Sequence, residues 1–185
     1  MDSYDKFARY KMVLFGDGGV GKTSLVDRFI NDRFEENYIC TLGYNVYEKQ
    51  IRHENSVISF MIWDIGGQER FRDLRKKYAE GANVAFLVYN ITDRNSFLNI
   101  KQWKADLDEF TGSIPFILIG NKMDLGSKRQ ISLEEGKKLA SEIRALDFFE
   151  TSAKTGTGIE NAFHQLAIKT YQAYFSQGQS VDDQI

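Results

Sequence analysis

Gly16-Asp17-Gly18-Gly19-Val20-Gly21-Lys22-Thr23 has the composition and spacing of a Walker A phosphate-binding loop. An apolar run, Met12-Val13-Leu14-Phe15, precedes it, and a helix-like stretch, Ser24-Leu25-Val26-Asp27-Arg28-Phe29-Ile30, follows. That strand–loop–helix setting is what the motif requires. Glycines let successive backbone N–H groups converge on phosphate oxygens that a side chain would keep away. The helix N-terminus adds positive partial charge and unsatisfied donors. In this motif Lys22 reaches the β- and γ-phosphates, and the Thr23 hydroxyl ligates Mg²⁺.

Three more segments carry polar side chains immediately after apolar runs. Trp63-Asp64-Ile65-Gly66-Gly67-Gln68-Glu69 follows Val57 to Ile62, and Asn121-Lys122-Met123-Asp124 follows Pro115 to Ile119. Thr151-Ser152-Ala153-Lys154 follows Leu146 to Phe149. Each falls at the carboxyl end of an expected strand, where open α/β sheets bind their ligands. One such motif is weak evidence; four in this order are specific.

With these residues in place, the chain resembles the Ras superfamily of small GTPases from about Tyr10 to about Phe175. The likeness is greatest to Rab proteins. Arg70-Phe71-Arg72-Asp73-Leu74 is similar to the Rab stretch after the switch II glutamine. Leu87-Val88-Tyr89-Asn90-Ile91-Thr92 is similar to the Rab fourth strand, and Thr41-Leu42-Gly43 to its switch I threonine and glycine. Gly66-Gly67-Gln68 departs toward Arf and Gα proteins, since Rabs carry Thr-Ala-Gly-Gln there. Val46 stands where Rabs have a phenylalanine that joins Trp63 and Tyr78 in an exposed aromatic trio.

The resemblance implies a guanine-nucleotide switch that hydrolyses GTP slowly, with Mg²⁺ as cofactor and GTP or GDP as ligand. Gly18, Gly19, Val20, Gly21, Lys22, Thr23 and Ser24 would line the phosphates, with Phe34 at the edge of the base and Tyr38 also among the nucleotide-binding residues. Asp124 would accept two hydrogen bonds from the guanine edge, Asn121 would brace the loops, and the Lys122 stem would cover the base. Ala153 would offer its backbone N–H to the guanine oxygen, supported by Ser152 and Lys154. Thr23 and Thr41 would ligate Mg²⁺ directly and Asp64 through water. Thr41 and the Gly67 N–H would sense the γ-phosphate, so that its loss releases two segments. Gln68 would orient the attacking water, with Lys22 and Thr41 completing the catalytic set. No arginine stands in Tyr38-Ile39-Cys40, which argues against a Gα-type arginine finger in the chain. Arg33, Arg70 and Arg72 read as surface or partner-facing residues.

Placing these groups requires an alternating α/β chain. Strands are expected near 8–15, 44–51, 57–63, 83–89, 115–120 and 146–149, and helices near 22–31, 72–80, 95–110, 132–145 and 159–175. The connection His53-Glu54-Asn55-Ser56 is too short for a crossover, so its flanking strands pair antiparallel. The expected fold is a P-loop NTPase G domain: a six-stranded, mostly parallel sheet with one antiparallel strand and helices on both faces. Ser132 and Glu135 have capping-box spacing. The G domain is expected over 1–175, with a polar, disordered tail over 176–185.

Composition sets further bounds. The chain has 185 residues, 42% hydrophobic and 27% charged, which suits one soluble globular domain. A net charge of −2 argues against a general nucleic-acid binder. One cysteine, Cys40, excludes an internal disulfide framework. The expected protein is a cytoplasmic monomer. Its partners would be an exchange factor, a GTPase-activating protein and effectors, bound through switch I (32–46) and switch II (64–78). No cysteine follows Cys40 and no Lys or Arg follows Lys169, so this stretch offers no site for prenylation and no basic anchor. Membrane association would then need a further lipidated tail or a partner. Two other classes fit the phosphate loop. A nucleotide-binding pseudo-GTPase scaffold would bind without turnover, and a P-loop phosphotransferase would need a lid and an acceptor pocket. Phosphate release and an acceptor-substrate screen separate them.

Overall fold

A computed structural model describes residues 6–35 and 41–176. Among these, six strands form one sheet in the order β2-β3-β1-β4-β5-β6. The strands are β1 (Lys6–Phe15), β2 (Tyr44–His53), β3 (Ser56–Ile65), β4 (Val84–Asn90), β5 (Phe116–Asn121) and β6 (Asp147–Glu150). β2 pairs antiparallel with β3 through the two-residue turn Glu54–Asn55, with Glu54 in the left-handed region (φ 51). Every other neighbouring pair is parallel. The carboxyl ends of β1, β3, β4, β5 and β6 therefore share one edge, and the loops leaving it build the site.

Both faces of the sheet are covered, which explains the near-continuous apolar runs of its central strands. Tyr10, Met12 and Leu14 of β1 face α1 (Lys22–Asn31) and α6 (Ile159–Ser176). Val13 and Phe15 face the other layer, which holds α2 (Arg72–Ala79), α3 (Arg94–Leu98), α4 (Ile100–Thr111) and α5 (Leu133–Glu142). Phe163 of α6 stacks on Phe29 of α1 with ring centroids 3.9 Å apart, locking the two helices together.

Strand ends and most helix ends lie within two residues of expectation, and two features differ more. The helix expected over 95–110 is two, joined at Asn99, whose side chain donates to Asp17 (2.8 Å). Asp93 caps the first piece by accepting from Asn95 N (3.0 Å) and Ser96 N (3.4 Å). The helix expected to reach 145 stops at Glu142, since Arg144 adopts φ 59. α6 includes Ser176, so the tail does not begin there; the rest of the expected tail, 177–185, lies outside the described residues.

The capping box is present, with Ser132 N donating to Glu135 (2.8 Å) and Glu135 N donating to Ser132 Oγ (3.1 Å). Arg94 Nη1 also donates to Glu135 (2.6 Å). The Arg94 bond first, then those from Ser132, pull the Glu135 carboxyl down to about 2. A depressed carboxylate stabilises the fold above its ordinary range and loses that effect as pH falls toward its folded pKa. Glu135→Gln should therefore be less stable than wild type at pH 7. The gap should close between about pH 4.5 and 2 in denaturant titrations. A gap independent of pH would contradict this account.

Candidate functional site

The loop after β1 is wrapped around its own lysine. Lys22 is 6% exposed, and its ammonium donates to the carbonyls of Gly16 (2.6 Å) and Asp17 (2.9 Å). Two side chains from the 121–124 loop hold the same turn from outside. Asn121 Nδ2 donates to Val20 O (2.9 Å), and Lys122 Nζ donates to Gly19 O (2.7 Å). Gly21, at φ 100, cannot be larger, because a Cβ would lie 2.4 Å from Asn121 Nδ2. Gly21 immediately precedes α1, so the amide donors of the first turn, Lys22 to Ser24, face the loop, while the Leu25 amide already bonds Gly21 O (2.9 Å).

Beside Lys22, three oxygen-bearing side chains meet. Thr23 Oγ1 donates to Asp64 Oδ2 (2.6 Å), and the Thr23 and Thr41 hydroxyls are 2.7 Å apart. Asp64 is fully buried, and its second oxygen has no hydrogen-bond partner among the described residues. Burial pushes the Asp64 carboxyl up, and the Thr23 hydroxyl and the Lys22 charge partly offset it. A buried, half-satisfied carboxylate flanked by two hydroxyls is a hard-oxygen set that suits Mg²⁺. Two hydroxyls and one carboxylate leave coordination positions for phosphate and water.

On the other side of the loop lies an open cleft of about 340 Å³. It is lined by Gly21, Ser24, Phe34, Asn121, Lys122, Asp124, Leu125, Ala153 and Lys154. Asp124 is oriented by Ser152 Oγ, which donates to Oδ1 (2.6 Å). Thr151 Oγ1 donates to Asn121 Oδ1 (3.1 Å), and Met123 N donates to Thr151 O (3.0 Å), which ties the two loops together. Burial lowers the Lys122 ammonium, opposed by Asp124 and Asp93.

Most of the expected residues thus share one edge of the sheet. Gly18, Gly19, Val20, Gly21, Lys22, Thr23, Thr41, Asp64 and Gly67 lie around the phosphate loop, and the base-loop residues lie around the cleft. Gly67 comes so near the loop that a Cβ would stand 2.4 Å from both Gly16 O and Lys22 Nζ. Gln68 caps the short 3₁₀ turn Glu69–Phe71, just before α2. Tyr38 and Cys40 lie outside the described residues.

One expectation about the surface changes. Tyr44 supplies a third ring beside Trp63 and Tyr78, although Val46 is aliphatic. Its centroid is 5.4 Å from Trp63 and 4.2 Å from Tyr78. Tyr44 and Val46 alternate by two along β2 and so share a face of the strand. Arg72 lies at the surface, as expected, and bridges to Glu109 (2.9 Å) and Asp106 (3.7 Å) on α4. Reading by motif also missed Arg28 and Arg75. Arg28 Nε donates to Ala153 O (2.8 Å) and Nη2 to Lys154 O (2.6 Å), holding the 151–154 loop from α1. Neither arginine belongs to a local motif; only their carbonyl partners, distant in sequence or hidden in a turn, reveal them.

Comparison with known proteins agrees with this geometry. The Ras family model matches residues 11–172. The chain is 42% identical over 159 residues to Ras-related protein RIC1 of Oryza sativa subsp. japonica, covering 85% of this chain and 78% of the relative. It is 39% identical over 169 residues to Ras-related protein RABD2a of Arabidopsis thaliana, covering 91% and 83%. It is 43% identical over 159 residues to Ras-related protein Rab-8B of Pongo abelii, covering 85% and 76%.

Proposed function

The chain belongs to the Ras family, whose members are GTP-hydrolysing switches, and from that premise we propose a Rab-like guanine-nucleotide switch acting in membrane trafficking. The observation that carries the base assignment is the Asp124 carboxylate in the cleft beside the first turn of α1, with one oxygen held by Ser152. A base in that cleft would have its phosphates at Lys22 and Thr23. Asp124 accepts from the guanine ring N–H and exocyclic amine, and adenine offers no such pair. Ala153 donates its amide to the guanine oxygen, and Lys122 covers one face of the ring. Phe34 borders the same cleft and meets the edge of the base.

Thr23, Thr41 and Asp64 are the residues to hold Mg²⁺, with Asp64 acting through water. Bound there, the ion would neutralise charge on the β- and γ-phosphate oxygens. Lys22 leaves its two loop carbonyls for phosphate oxygens. Gln68 orients the attacking water, and the Gly67 amide tethers switch II to the γ-phosphate. When that phosphate leaves, the Thr41 and Gly67 contacts lose their common anchor. Switch I (32–46) and switch II (64–78) then relax, which exchange factors, activating proteins and effectors detect. The Tyr44–Trp63–Tyr78 surface between the switches is the face we assign to effectors. The domain spans about 1–176 and is cytoplasmic, reaching a membrane through a lipidated tail or a partner. Among the described residues no helix is long and apolar enough to cross one.

Two measurements test the reading. GDP and GTP should compete for the site far better than ADP and ATP, and single-turnover phosphate release should be slow but measurable. Tight binding without release would instead identify a scaffold. Arg28 provides a third test, since it holds the carbonyl of the residue whose amide meets the base. Losing charge-assisted bonds of this kind costs about 1.5–3 kcal/mol, so Arg28→Met should release fluorescent GDP about tenfold faster or more. Unchanged release would show that the loop holds its position without Arg28.

A further inference from the structure

The largest fully buried side chain among the described residues is a charged one, Arg75 of α2. Its Nη1 donates to the carbonyls of Gly66 (3.1 Å) and Gln68 (2.6 Å). Its Nε and Nη2 are buried with no hydrogen-bond partner among the described residues. The nearest carboxylate oxygen, on the exposed Glu69, is 3.8 Å away. Burial lowers the guanidinium, opposed by Glu69 and Asp106. A buried charge with so few partners is costly, and a methionine of similar length would fill the space without that cost. The residue therefore calls for a role beyond packing.

The two carbonyls that it grips flank Gly67. A Cβ at Gly67 would strike the phosphate loop, and one at Gly66 would lie 2.7 Å from Thr41 O and 2.8 Å from Phe71 Cδ2. The close approach to switch I and the phosphate loop thus demands two consecutive glycines. Two glycines also make the most pliable hinge a chain can have, with no side chain to set its path. Arg75 supplies the missing constraint from the following helix. It is itself seated on the phosphate loop: its guanidinium carbon is 4.7 Å from the centroid of Trp103, whose Nε1 donates to Asp17 Oδ1 (2.6 Å). Asn99 Nδ2 holds the other Asp17 oxygen (2.8 Å). A continuous path therefore runs from the Asp17 carboxylate through the indole and the guanidinium to the backbone of Gln68.

We propose that Arg75 is the positioning residue for hydrolysis, fixing the Gly66-Gly67-Gln68 turn against the phosphate loop through Trp103 and Asp17. It touches no reacting atom and acts through the Gln68 backbone, so the inference rests on Gln68 as the residue that orients water. Without Arg75 the hinge samples many paths and Gln68 spends little time in line. The phosphate loop and base cleft keep their own bonds, so GDP affinity is spared.

The test uses the full chain, with GTP hydrolysis measured in single turnover and affinity measured separately. Arg75→Met should lower the hydrolysis rate about tenfold or more while GDP affinity stays within about twofold. Arg75→Lys keeps one donor group but not the planar fork, and should fall between Met and wild type. It decides the matter if the methionine variant fails to fold. In a Trp63→Phe background, leaving Trp103 as the only tryptophan, emission should shift on Arg75→Met and lose its response to GDP–GTP exchange. The double variant Gln68→Leu/Arg75→Met should hydrolyse no more slowly than Gln68→Leu alone, since both act on one group. Wild-type hydrolysis in Arg75→Met or Arg75→Lys would overturn the proposal. So would a parallel loss of GDP affinity, which would mark Arg75 as merely structural. If Gln68→Leu itself turns over normally, the failure lies in the reading of Gln68, and a slow Arg75→Met would then have to act by another route, which also overturns the proposal as stated.

Discussion

Asp124→Asn should exchange a guanine site for a xanthine site. Guanine presents two adjacent donors to the carboxylate, its ring N–H and its exocyclic amine. Xanthine keeps the ring N–H but has a carbonyl oxygen in place of the amine. An asparagine can accept from the first and donate to the second. Toward guanine it would set its own amide N–H against the exocyclic amine. One contact is lost and a buried donor is left unsatisfied, each worth about 1–3 kcal/mol. Together they imply a loss of GDP affinity on the order of 100-fold or more. The substitution is gentle on the fold, since Asn Oδ1 can still accept the Ser152 hydroxyl that now reaches Asp124 at 2.6 Å. Competition between GDP, XDP and ADP for wild type and variant measures the effect. A variant that still prefers GDP, or a wild type that binds ATP as well as GTP, would dismiss Asp124 as the base selector.

Gln68→Leu should nearly abolish hydrolysis while leaving the nucleotide in place. Leucine fills a similar volume, and the Gln68 carbonyl that Arg75 grips at 2.6 Å belongs to the backbone and survives. The turn should keep its course with only the polar head removed. Losing the alignment of an attacking water costs on the order of 10- to 100-fold in rate, while the phosphate cradle built from Gly16 to Thr23 is untouched. Thr23→Asn makes the opposite change: it disturbs the Thr23–Asp64–Thr41 oxygen set and should favour a GDP-bound or empty protein. Phosphate release with and without an activating protein, alongside GTP affinity, separates the two. Turnover of Gln68→Leu at the wild-type rate in both conditions would remove Gln68 from the mechanism.

Much of the fold was written along the chain in local terms. The central strands showed as apolar runs because both sheet faces are covered. The β2–β3 hairpin followed from a connection too short to cross the sheet. The capping box was visible as two residues three apart. The ends of helices were less legible. At Asn99 a side chain prefers Asp17, 82 residues away, and no local propensity anticipates that bond.

The site divides in the same way. Short contiguous motifs named Lys22, Thr23, Asp64, Gln68, Asn121 and Asp124, because phosphate, metal and base contacts each need particular side chains at short spacing. Pairs that meet only across the sheet edge could not be read that way. Arg28 holds carbonyls of Ala153 and Lys154, and Tyr44 completes a ring cluster from which Val46 appeared to have removed a member. Arg75 belongs to no short motif, and its role rests on its burial and its grip on the Gly66 and Gln68 carbonyls. Side-chain type and local spacing are properties of sequence, whereas burial and the partners of a backbone carbonyl exist only once distant segments have packed.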